Sequence, residues 1–335
     1  MGGALSTIYG YNPLLPGGSG STLLTAGIGD NSLLASVPPV YTWPYVRPRF
    51  TQFLDNLRLT YGQVEDGQTK LRGVVSALNR RYWNSSDGSA NSQLIGSWAK
   101  HTRVRPPRDI DVNFILPIEV YYRFEQRQGN RQSQLLQELR DVLRATYPLT
   151  DIGGDRHVVV VPFTTYKIEI APVFHRQGGG YLVCDSSGAG SYKHADPAAE
   201  LAALSTLDTQ YNGNVRKLTR MLKQWQRECG VPIKSFQIEA AIKGALANLS
   251  HAGNDEFWFD WLVRDVFEHL TECGNGSFQM PGTGELIHVG DAWLSRAQTA
   301  YLRAAKACDY ERDNENYLAG QEWQKIFGTL IPQTV

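Results

Sequence analysis

The chain has 335 residues, of which 42% are apolar and 20% charged, and its 33 Lys and Arg residues balance its 33 Asp and Glu residues. That length allows two domains, or one large α/β core with a helical partner. A protein that grips a long nucleic-acid polymer usually carries a basic excess, because its affinity comes from neutralising phosphates. The zero net charge argues against such a partner and leaves open only a local basic groove.

Cysteine usage and hydropathy indicate a cytoplasmic protein. The four cysteines lie tens of residues apart without a C-x-x-C pattern, which favours free thiols over a zinc site or a disulfide framework. No apolar run reaches the roughly 18 residues of a membrane helix, and no basic region followed by an apolar block predicts a secretory signal. The opening MGGALS fits a myristoylation pattern that is short enough to occur by chance.

Hydrophobic periodicity divides the chain into three predicted regions. Residues 1–48 are rich in Gly, Ser, Pro and Leu, and they predict an extension without regular structure. Residues 49–196 predict a core of strands and helices, and residues 197–335 predict a helical domain. Within the core, apolar residues at helical spacing over about 50–83 predict one long helix or two in tandem.

The remaining predicted elements follow from an apolar period of two in strands and about 3.6 in helices. The predicted strands cover 109–116, 157–163, 166–174 and 178–185, and the second and third are close enough in sequence to form a hairpin. The predicted helices cover 131–146, a stretch around 215–227, 235–250, 255–271 and 291–307.

The strand DIDVNFIL places Asp109, Asp111 and Asn113 on one face, opposite a face of apolar side chains. Two aspartates at positions i and i+2 point the same way, about 6.5–7 Å apart along the strand. They repel each other unless a cation lies between them, and Mg²⁺ commonly takes one or two carboxylates together with substrate phosphates. The alternative is an exposed strand edge with two solvated acids.

Gly96 and Ser97 precede this strand and predict a tight turn at which backbone N–H groups approach a phosphate. A G-S pair, a spacer of eleven residues and D-h-D, where h is hydrophobic, resembles the signature of polymerase-β-type nucleotidyltransferases. The resemblance implies a third carboxylate on a neighbouring strand. Glu169 in YKIEIAPVF is the candidate, although the family more often uses aspartate there, and the alternative is a surface-strand glutamate.

Other segments resemble a narrower group, the bacterial cyclic-oligonucleotide synthases related to cyclic GMP-AMP synthase and oligoadenylate synthase. Residues 214–239 are similar to their L-L-K-x-W helix and K-S-[YF]-x-[IL]-E segment, and GQEWQKIFGTLIP (320–332) to their W-x-x-[IL]-F-G. Residues 53–83 resemble their N-terminal spine helix. The resemblance implies an α+β fold, in which a polymerase-β-like core with a mixed sheet, flanking helices and that spine is joined to a helical domain closing the nucleotide pocket.

The resemblance also implies roles for matching residues. Asp109, Asp111 and Glu169 would bind two Mg²⁺ ions, which Mn²⁺ can replace, and Glu169 would help to deprotonate the acceptor hydroxyl. Gly96 and Ser97 would hold the β- and γ-phosphates of the donor nucleotide. The further nucleotide-binding candidates are Lys100, Tyr192, Lys223 and Ser235.

Each of these four candidates has an alternative. Lys223 reaches the triphosphate or lies on a solvated helix flank, and Ser235 touches a base or phosphate or caps the helix expected near residue 236. Tyr192 either stacks on a base or has no such role. Lys100 belongs to a group of spacer cations that either hold triphosphates or are solvated, with Arg103, Arg105 and Arg108.

The implied activity joins NTPs, ATP among them, into a cyclic di- or trinucleotide second messenger with release of pyrophosphate. The implied setting is anti-phage signalling with operon-encoded regulatory or effector proteins. We expect no obligatory nucleic-acid activator and no membrane association, because neither a basic face nor a zinc insertion is visible. The alternatives are a polymer-directed nucleotidyltransferase, such as a tRNA end-adding enzyme or poly(A) polymerase, and an inactive nucleotide-binding scaffold, which the intact carboxylates disfavour.

Overall fold

Two consecutive helices open the part of the chain that the computed structural model describes, residues 42–335. They are α1 (Val46–Leu57) and α2 (Tyr61–Tyr82), so two helices in tandem stand where one or two were predicted. A capping box starts α2, because Thr60 Oγ1 accepts from the N–H of Gln63 and the Gln63 side chain accepts from the N–H of Thr60. The predicted extension, up to residue 41, and its MGGALS pattern lie outside the described residues.

A mixed sheet follows these helices. Its strands are β1 (Ser92–Leu94), β2 (Asp109–Ile115), β3 (Gly153–Asp155), β4 (Val158–Pro162), β5 (Lys167–His175), β6 (Tyr181–Asp185) and β7 (Ser191–Ala195). The order is β1-β2-β5-β4-β3, and β6 pairs with both β5 and β7. The β2–β5 pair is parallel and the other pairs are antiparallel. The predicted hairpin of β4 and β5 is present.

The register of β2 and β5 places their polar residues side by side. Asp111 is paired with Glu169, and Asn113 with Ala171. The intervening side chains of both strands, Ile110 and Ile168 among them, are completely buried on the other face. Since side chains alternate along a strand, burying that apolar face fixes both acidic residues on the opposite one.

Three helices complete the sheet region: α3 (Gly96–Ala99), α4 (Ile118–Glu125) and α5 (Arg131–Thr146). The helix predicted over 131–146 is therefore confirmed, whereas α3 and α4 were not predicted. The short α3 lies between β1 and β2, and it brings the Gly-Ser pair to the polar end of β2. The apolar residues of α2, α4 and α5 share one buried cluster with the sheet.

The rest of the described chain is mostly helical. Its helices are α6 (Pro197–Gln210), α7 (Asn214–Glu228), α8 (Ser235–Leu246), α9 (Phe259–Glu272), α10 (Leu294–Arg312) and α11 (Asn316–Phe327). Two strands that were not predicted, β8 (Ser277–Gln279) and β9 (Leu286–His288), form a hairpin between α9 and α10. Single 3-10 turns occupy Glu256–Trp258 and Gly328–Leu330. Over residues 42–335, every helix is too short or too polar to cross a membrane.

The helical region has its own hydrophobic core, and α1 is part of it. Phe50 and Phe53 of α1 pack on aromatic side chains of α9 and α11. Arg49 is completely buried, and it donates to Glu311 at 2.7 Å and to the carbonyl oxygens of Pro332 and Gln333. The helix that precedes the sheet in sequence is thereby tied to the C-terminal half. The division at residues 48 and 196 stays a prediction.

Candidate active site

Asp109 and Asp111 line a cleft of about 700 Å³ between the sheet and the helical region. Glu169 lies next to Asp111 on the adjacent strand. Burial raises the pKa of Asp111, and Asp109 raises it further. Burial likewise raises the pKa of Glu169, with Asp111 and Asp109 adding to the effect. The three carboxylates therefore repel one another, and within residues 42–335 none of them has a Lys or Arg ion-pair partner.

This surplus of negative charge fits a divalent cation only in part. In the described part of the chain, no three His, Cys, Asp or Glu side chains come close enough to enclose a metal ion by themselves. Mg²⁺, however, commonly takes one or two carboxylates and completes its coordination with water and substrate phosphates. Asp109 and Asp111 match that donor set, because both face the cleft and lack cationic partners. Glu169 as a ligand stays a prediction.

The Gly-Ser pair forms the first turn of α3, directly against Asp111. The backbone of Gly96 has a φ of +57°, and a Cβ added there would collide with Asp111 Oδ2. The N–H of Ile95 donates to the carbonyl oxygen of Asp111 at 3.0 Å, which holds the turn to β2. Ser97 follows and also lines the cleft. The turn and the aspartates thus belong to one packed unit.

Lys223 projects into the same cleft from α7. Burial lowers the pKa of its ammonium group, while Glu239, Asp111 and Asp109 oppose that shift. Across residues 42–335 it has neither an ion pair nor a hydrogen bond. A mostly buried cation without a partner is unfavourable, so this position is suited to an anion. The alternative prediction, that Lys223 lies on a solvated helix flank, is therefore wrong.

Three arginines of α7 hold the spacer between the Gly-Ser pair and β2. No role was predicted for these arginines, although their spacing of four and seven residues places them on one helix face. They donate to three backbone carbonyl oxygens of the spacer: Arg216 to Lys100 at 2.9 Å, Arg220 to His101 at 3.3 Å and Arg227 to Arg105 at 2.6 Å. The three arginine side chains therefore position the spacer, and they do not form a solvated helix face.

The spacer cations themselves have different environments. Lys100 lines the cleft, but its ammonium lies 3.1 Å from Glu200 and 2.9 Å from Glu239. Arg103 stacks over the ring of Trp98 at 4.7 Å. Two carboxylates thus occupy the Lys100 side chain that was expected to reach the triphosphate. That role of Lys100 remains a prediction, and it would require exchange of these partners.

Tyr192 lies away from the cleft, and its predicted stacking on a base is wrong. Its ring packs at 5.4 Å from Tyr121 and 6.2 Å from Phe174, and its hydroxyl donates to Glu125. The error arises from tertiary packing, because side chains of α4 and β5 hold Tyr192, whereas the adjacent Lys193 and His194 line the cleft.

Ser235 is the first residue of α8 and lines the cleft, so it is not the helix cap that the alternative required. The cap position belongs to Lys234. Sequence reasoning missed several cleft residues, Phe236 and Met280 among them. Phe236 lies within the K-S-F segment, which was a signal that could have been used. Met280 comes from the β8–β9 hairpin, which no periodicity predicted.

Comparison with known proteins agrees with this geometry. Residues 45–207 match the family model of the Second Messenger Oligonucleotide or Dinucleotide Synthetase domain. A protein of Bacillus cereus (strain VD146) named "Probable cyclic nucleotide synthase" is 21% identical, over 72% of this chain and 83% of that protein.

Solved structures share the fold. CdnC of E. coli MS115-1, solved with ATP and in complex with HORMA-deltaN, has a TM-score of 0.61 at 18% identity, covering 85% of this chain and 98% of CdnC. DncV of Vibrio cholerae, a cyclic AMP-GMP synthase solved with the linear intermediate 5′ pppA(3′,5′)pG, has a TM-score of 0.60 at 12% identity. That match covers 85% of this chain and 86% of DncV. The mixed sheet and the helical C-terminal region are thus those of the nucleotidyltransferase fold.

Proposed function

Because the chain belongs to the family of second messenger oligonucleotide or dinucleotide synthetases and is a nucleotidyltransferase, we propose that it joins NTPs into a cyclic di- or trinucleotide and releases pyrophosphate. The observation that most supports this proposal is that acidic and basic side chains without ion-pair partners in the described chain line the same cleft. Among the residues that the structure describes, Asp109 and Asp111 lack cationic ion-pair partners there, and Lys223 lacks an anionic one. A triphosphate with its divalent metal supplies both missing partners.

The proposed reaction begins with placement of the donor nucleotide. Gly96 and Ser97 form a turn with no side chain on Gly96, so the backbone there can approach phosphate oxygens closely. Lys223 donates to the triphosphate, since its ammonium has no competing partner within the described residues. Ser235 faces the same space. Together they orient the α-phosphorus toward the acceptor hydroxyl.

The chemical step transfers a nucleotidyl group. A ribose hydroxyl oxygen attacks the α-phosphorus in line, the bond to the β-phosphate oxygen breaks, and pyrophosphate leaves. Glu169 accepts the hydroxyl proton, and its raised pKa favours holding that proton. Bound Mg²⁺, or Mn²⁺, would supply charge neutralisation of the phosphate oxygens and would acidify the hydroxyl. Asp109 and Asp111 would hold that ion. Attack of the last hydroxyl on the first nucleotide closes the ring.

We also propose the setting of this reaction. NTPs, ATP among them, are its substrates, no nucleic-acid activator is obligatory, and the enzyme acts in the cytoplasm, where its four free cysteines stay reduced. An anti-phage pathway with operon-encoded regulatory or effector proteins is the cellular role we propose. One structural relative, CdnC, is recorded in complex with HORMA-deltaN, which supports a regulatory protein as a candidate partner.

The test incubates the protein with pairwise NTP mixtures and Mg²⁺ or Mn²⁺, and it follows pyrophosphate release and mass spectra of phosphatase-treated products. We expect small, phosphatase-resistant products whose masses equal two or three nucleotides joined in a ring. Long polymer would instead support a polymer-directed enzyme. Absence of pyrophosphate from every mixture would support an inactive scaffold.

A further inference from the structure

A lysine and two glutamates from three different helices meet inside the cleft. Lys100, at the end of α3, has its Nζ 3.1 Å from Glu200 Oε2 and 2.9 Å from Glu239 Oε2. Glu200 lies on α6 and Glu239 on α8. The three side chains are 12%, 24% and 17% exposed, and all of them line the cleft. This set presents one hydrogen-bond donor group and two acceptor groups in a fixed arrangement.

Each glutamate uses only part of its hydrogen-bonding capacity. Within residues 42–335, Oε1 of Glu200 and Oε1 of Glu239 have no hydrogen-bond partner, and neither atom is sealed from solvent. Burial alone would lower the pKa of Lys100, but Glu239 and Glu200 outweigh it and raise that pKa. The ammonium is therefore permanently charged, and two carboxylate oxygens remain open to a ligand.

Substrate binding makes this capacity more available. Glu239 is the carboxylate that acts most strongly on Lys223. Once Lys223 binds a triphosphate, as the proposed function requires, its charge no longer offsets that of Glu239, and the two glutamates keep only the ammonium of Lys100 that they already share. The set then carries one surplus negative charge in a partly buried site, and an N–H donor on the ligand relieves it.

Apolar side chains flank the set. Phe236 lies one helical turn before Glu239, and Met280 comes from the β8–β9 hairpin. The tip of this hairpin rests on α6, because a Cβ added to Gly282 would meet Ala199 Cβ at 2.6 Å. A planar ring fits between such walls with its polar edge turned toward the charged groups.

We infer that Lys100, Glu200 and Glu239 read the Watson–Crick edge of a guanine nucleotide, an inference that rests on the proposed reaction at this cleft. Guanine presents the O6 acceptor next to the N1–H and N2–H donors. Lys100 donates to O6, and the open carboxylate oxygens accept from N1–H and N2–H. Every polar atom of that edge then has a partner of opposite character.

The other bases match less well. Adenine offers one N–H group beside the N1 lone pair, and uracil offers one N–H between two carbonyl oxygens. In each case an acceptor atom of the base faces a carboxylate oxygen. Two acceptors cannot bond to each other, so each loses its hydrogen bond to water without a replacement. Sites built to bind N–H groups reject analogues that lack them. Guanine is therefore preferred.

The test measures binding without turnover. Dissociation constants are determined by calorimetry for the α,β-methylene analogues of GTP, ATP and ITP, with the wild-type protein, Glu239→Gln and Glu200→Gln. ITP is the matched control because its base lacks only the 2-amino group of guanine. Inorganic tripolyphosphate measures the phosphate site alone, and it shows whether each variant keeps a folded cleft.

We expect the GTP analogue to bind about tenfold more tightly than the ITP analogue, and more tightly than the ATP analogue. In at least one glutamate variant the GTP-to-ITP ratio should fall below about threefold, with tripolyphosphate binding retained. A wild-type ratio near one, tighter ATP binding, or a ratio unchanged in both variants overturns the inference. Failure of the proposed function shows separately, as absence of pyrophosphate release from every NTP mixture.

Discussion

Gly96 and Asp111 lie so close together that no side chain larger than hydrogen fits between them. Gly96 adopts a φ of +57°, in the left-handed region, and an added Cβ would overlap Asp111 Oδ2. The backbone N–H of Ile95 fixes the same contact from the other side by donating to Asp111 O. The position of the Gly-Ser turn is thus set directly by an aspartate of the candidate metal site.

This contact predicts that Gly96→Ala strongly lowers the rate of pyrophosphate release. The substitution forces a left-handed alanine, which costs about 1–2 kcal/mol, and it displaces either the turn or the Asp111 carboxylate. We expect pyrophosphate release to fall at least about tenfold, since misplacement of about 1 Å has large effects on catalysis. Gly62→Ala is the control, because a Cβ there meets nothing within 4 Å. Unchanged turnover in Gly96→Ala would contradict the tight contact.

The two aspartates should be dispensable for folding. Replacing both by Asn keeps their volume and removes the repulsion that, after burial, raises the pKa of Asp111. We therefore expect Asp109→Asn with Asp111→Asn to abolish turnover while the melting temperature is kept or rises. Asp141→Asn, on the exposed side of α5, serves as the control. A collapsed melting temperature would show a structural role for the pair.

Glu169 should matter through its carboxylate. Its register position beside Asp111 predicts a role as ligand or proton acceptor, and loss of such a group usually costs about two decades in rate. We expect that loss in both Glu169→Ala and Glu169→Gln, measured as pyrophosphate release at saturating NTP. Glu119→Gln, on the exposed side of α4, should leave the rate unchanged. A mild effect at residue 169 would mean that a different residue supplies the third carboxylate.

Local pattern was sufficient to predict β2, β5 and α5, since each has a strong apolar period. The same alternation placed Asp109, Asp111 and Glu169 on one polar face. The pairing of Asp111 with Glu169 needed a parallel register between strands more than fifty residues apart. The sequence of either strand alone does not predict such a long-range pairing, and only the family resemblance suggested it.

The wrong prediction for Tyr192 and the ion pairs of Lys100 have a common physical cause, which is that neighbours distant in sequence decide what a polar side chain contacts. Tyr192 was predicted to stack on a base, but its ring packs against Tyr121. Lysine is a residue type that commonly binds phosphate, yet the ammonium of Lys100 donates to Glu239, 139 positions away. The hairpin that delivers Met280 has strands of three residues each, too short to show a period of two.

Lys223 should contribute to triphosphate affinity. Its ammonium lacks a partner within the described chain, and a hydrogen bond to a charged group contributes about 1.5–3 kcal/mol. We expect Lys223→Ala to raise the KM for NTPs and the Kd for tripolyphosphate by about ten- to a hundredfold. Lys243→Ala, at an exposed position of α8, controls for the loss of one positive charge. Equal effects of both substitutions would reduce the role of Lys223 to bulk electrostatics.

Stability should depend on pH through Asp260, in the core of the helical region. Asp260 is 2% exposed, and its Oδ2 has no hydrogen-bond partner among residues 42–335. Burial raises the pKa of Asp260 to about 8 from an ordinary value of 3.8. Between these values the unfolded chain loses this proton and the native protein keeps it. The free energy of unfolding therefore falls as pH rises from about 4 to about 8, by at most about 1.4 kcal/mol per unit for one group.

Asp260→Asn removes this dependence, because the amide is isosteric and neutral at every pH in the window. Its Oδ1 can still accept from the backbone N–H groups at the start of α9 that bond to the carboxylate. Urea denaturation at pH 5, 6, 7 and 8 should show a stability gain over wild type that grows with pH. Asp151→Asn, in an exposed loop, is the control for removal of one carboxylate at the surface. A gain for Asp260→Asn that is constant or shrinks toward pH 8 would mean that the carboxylate is already ionised in the native core.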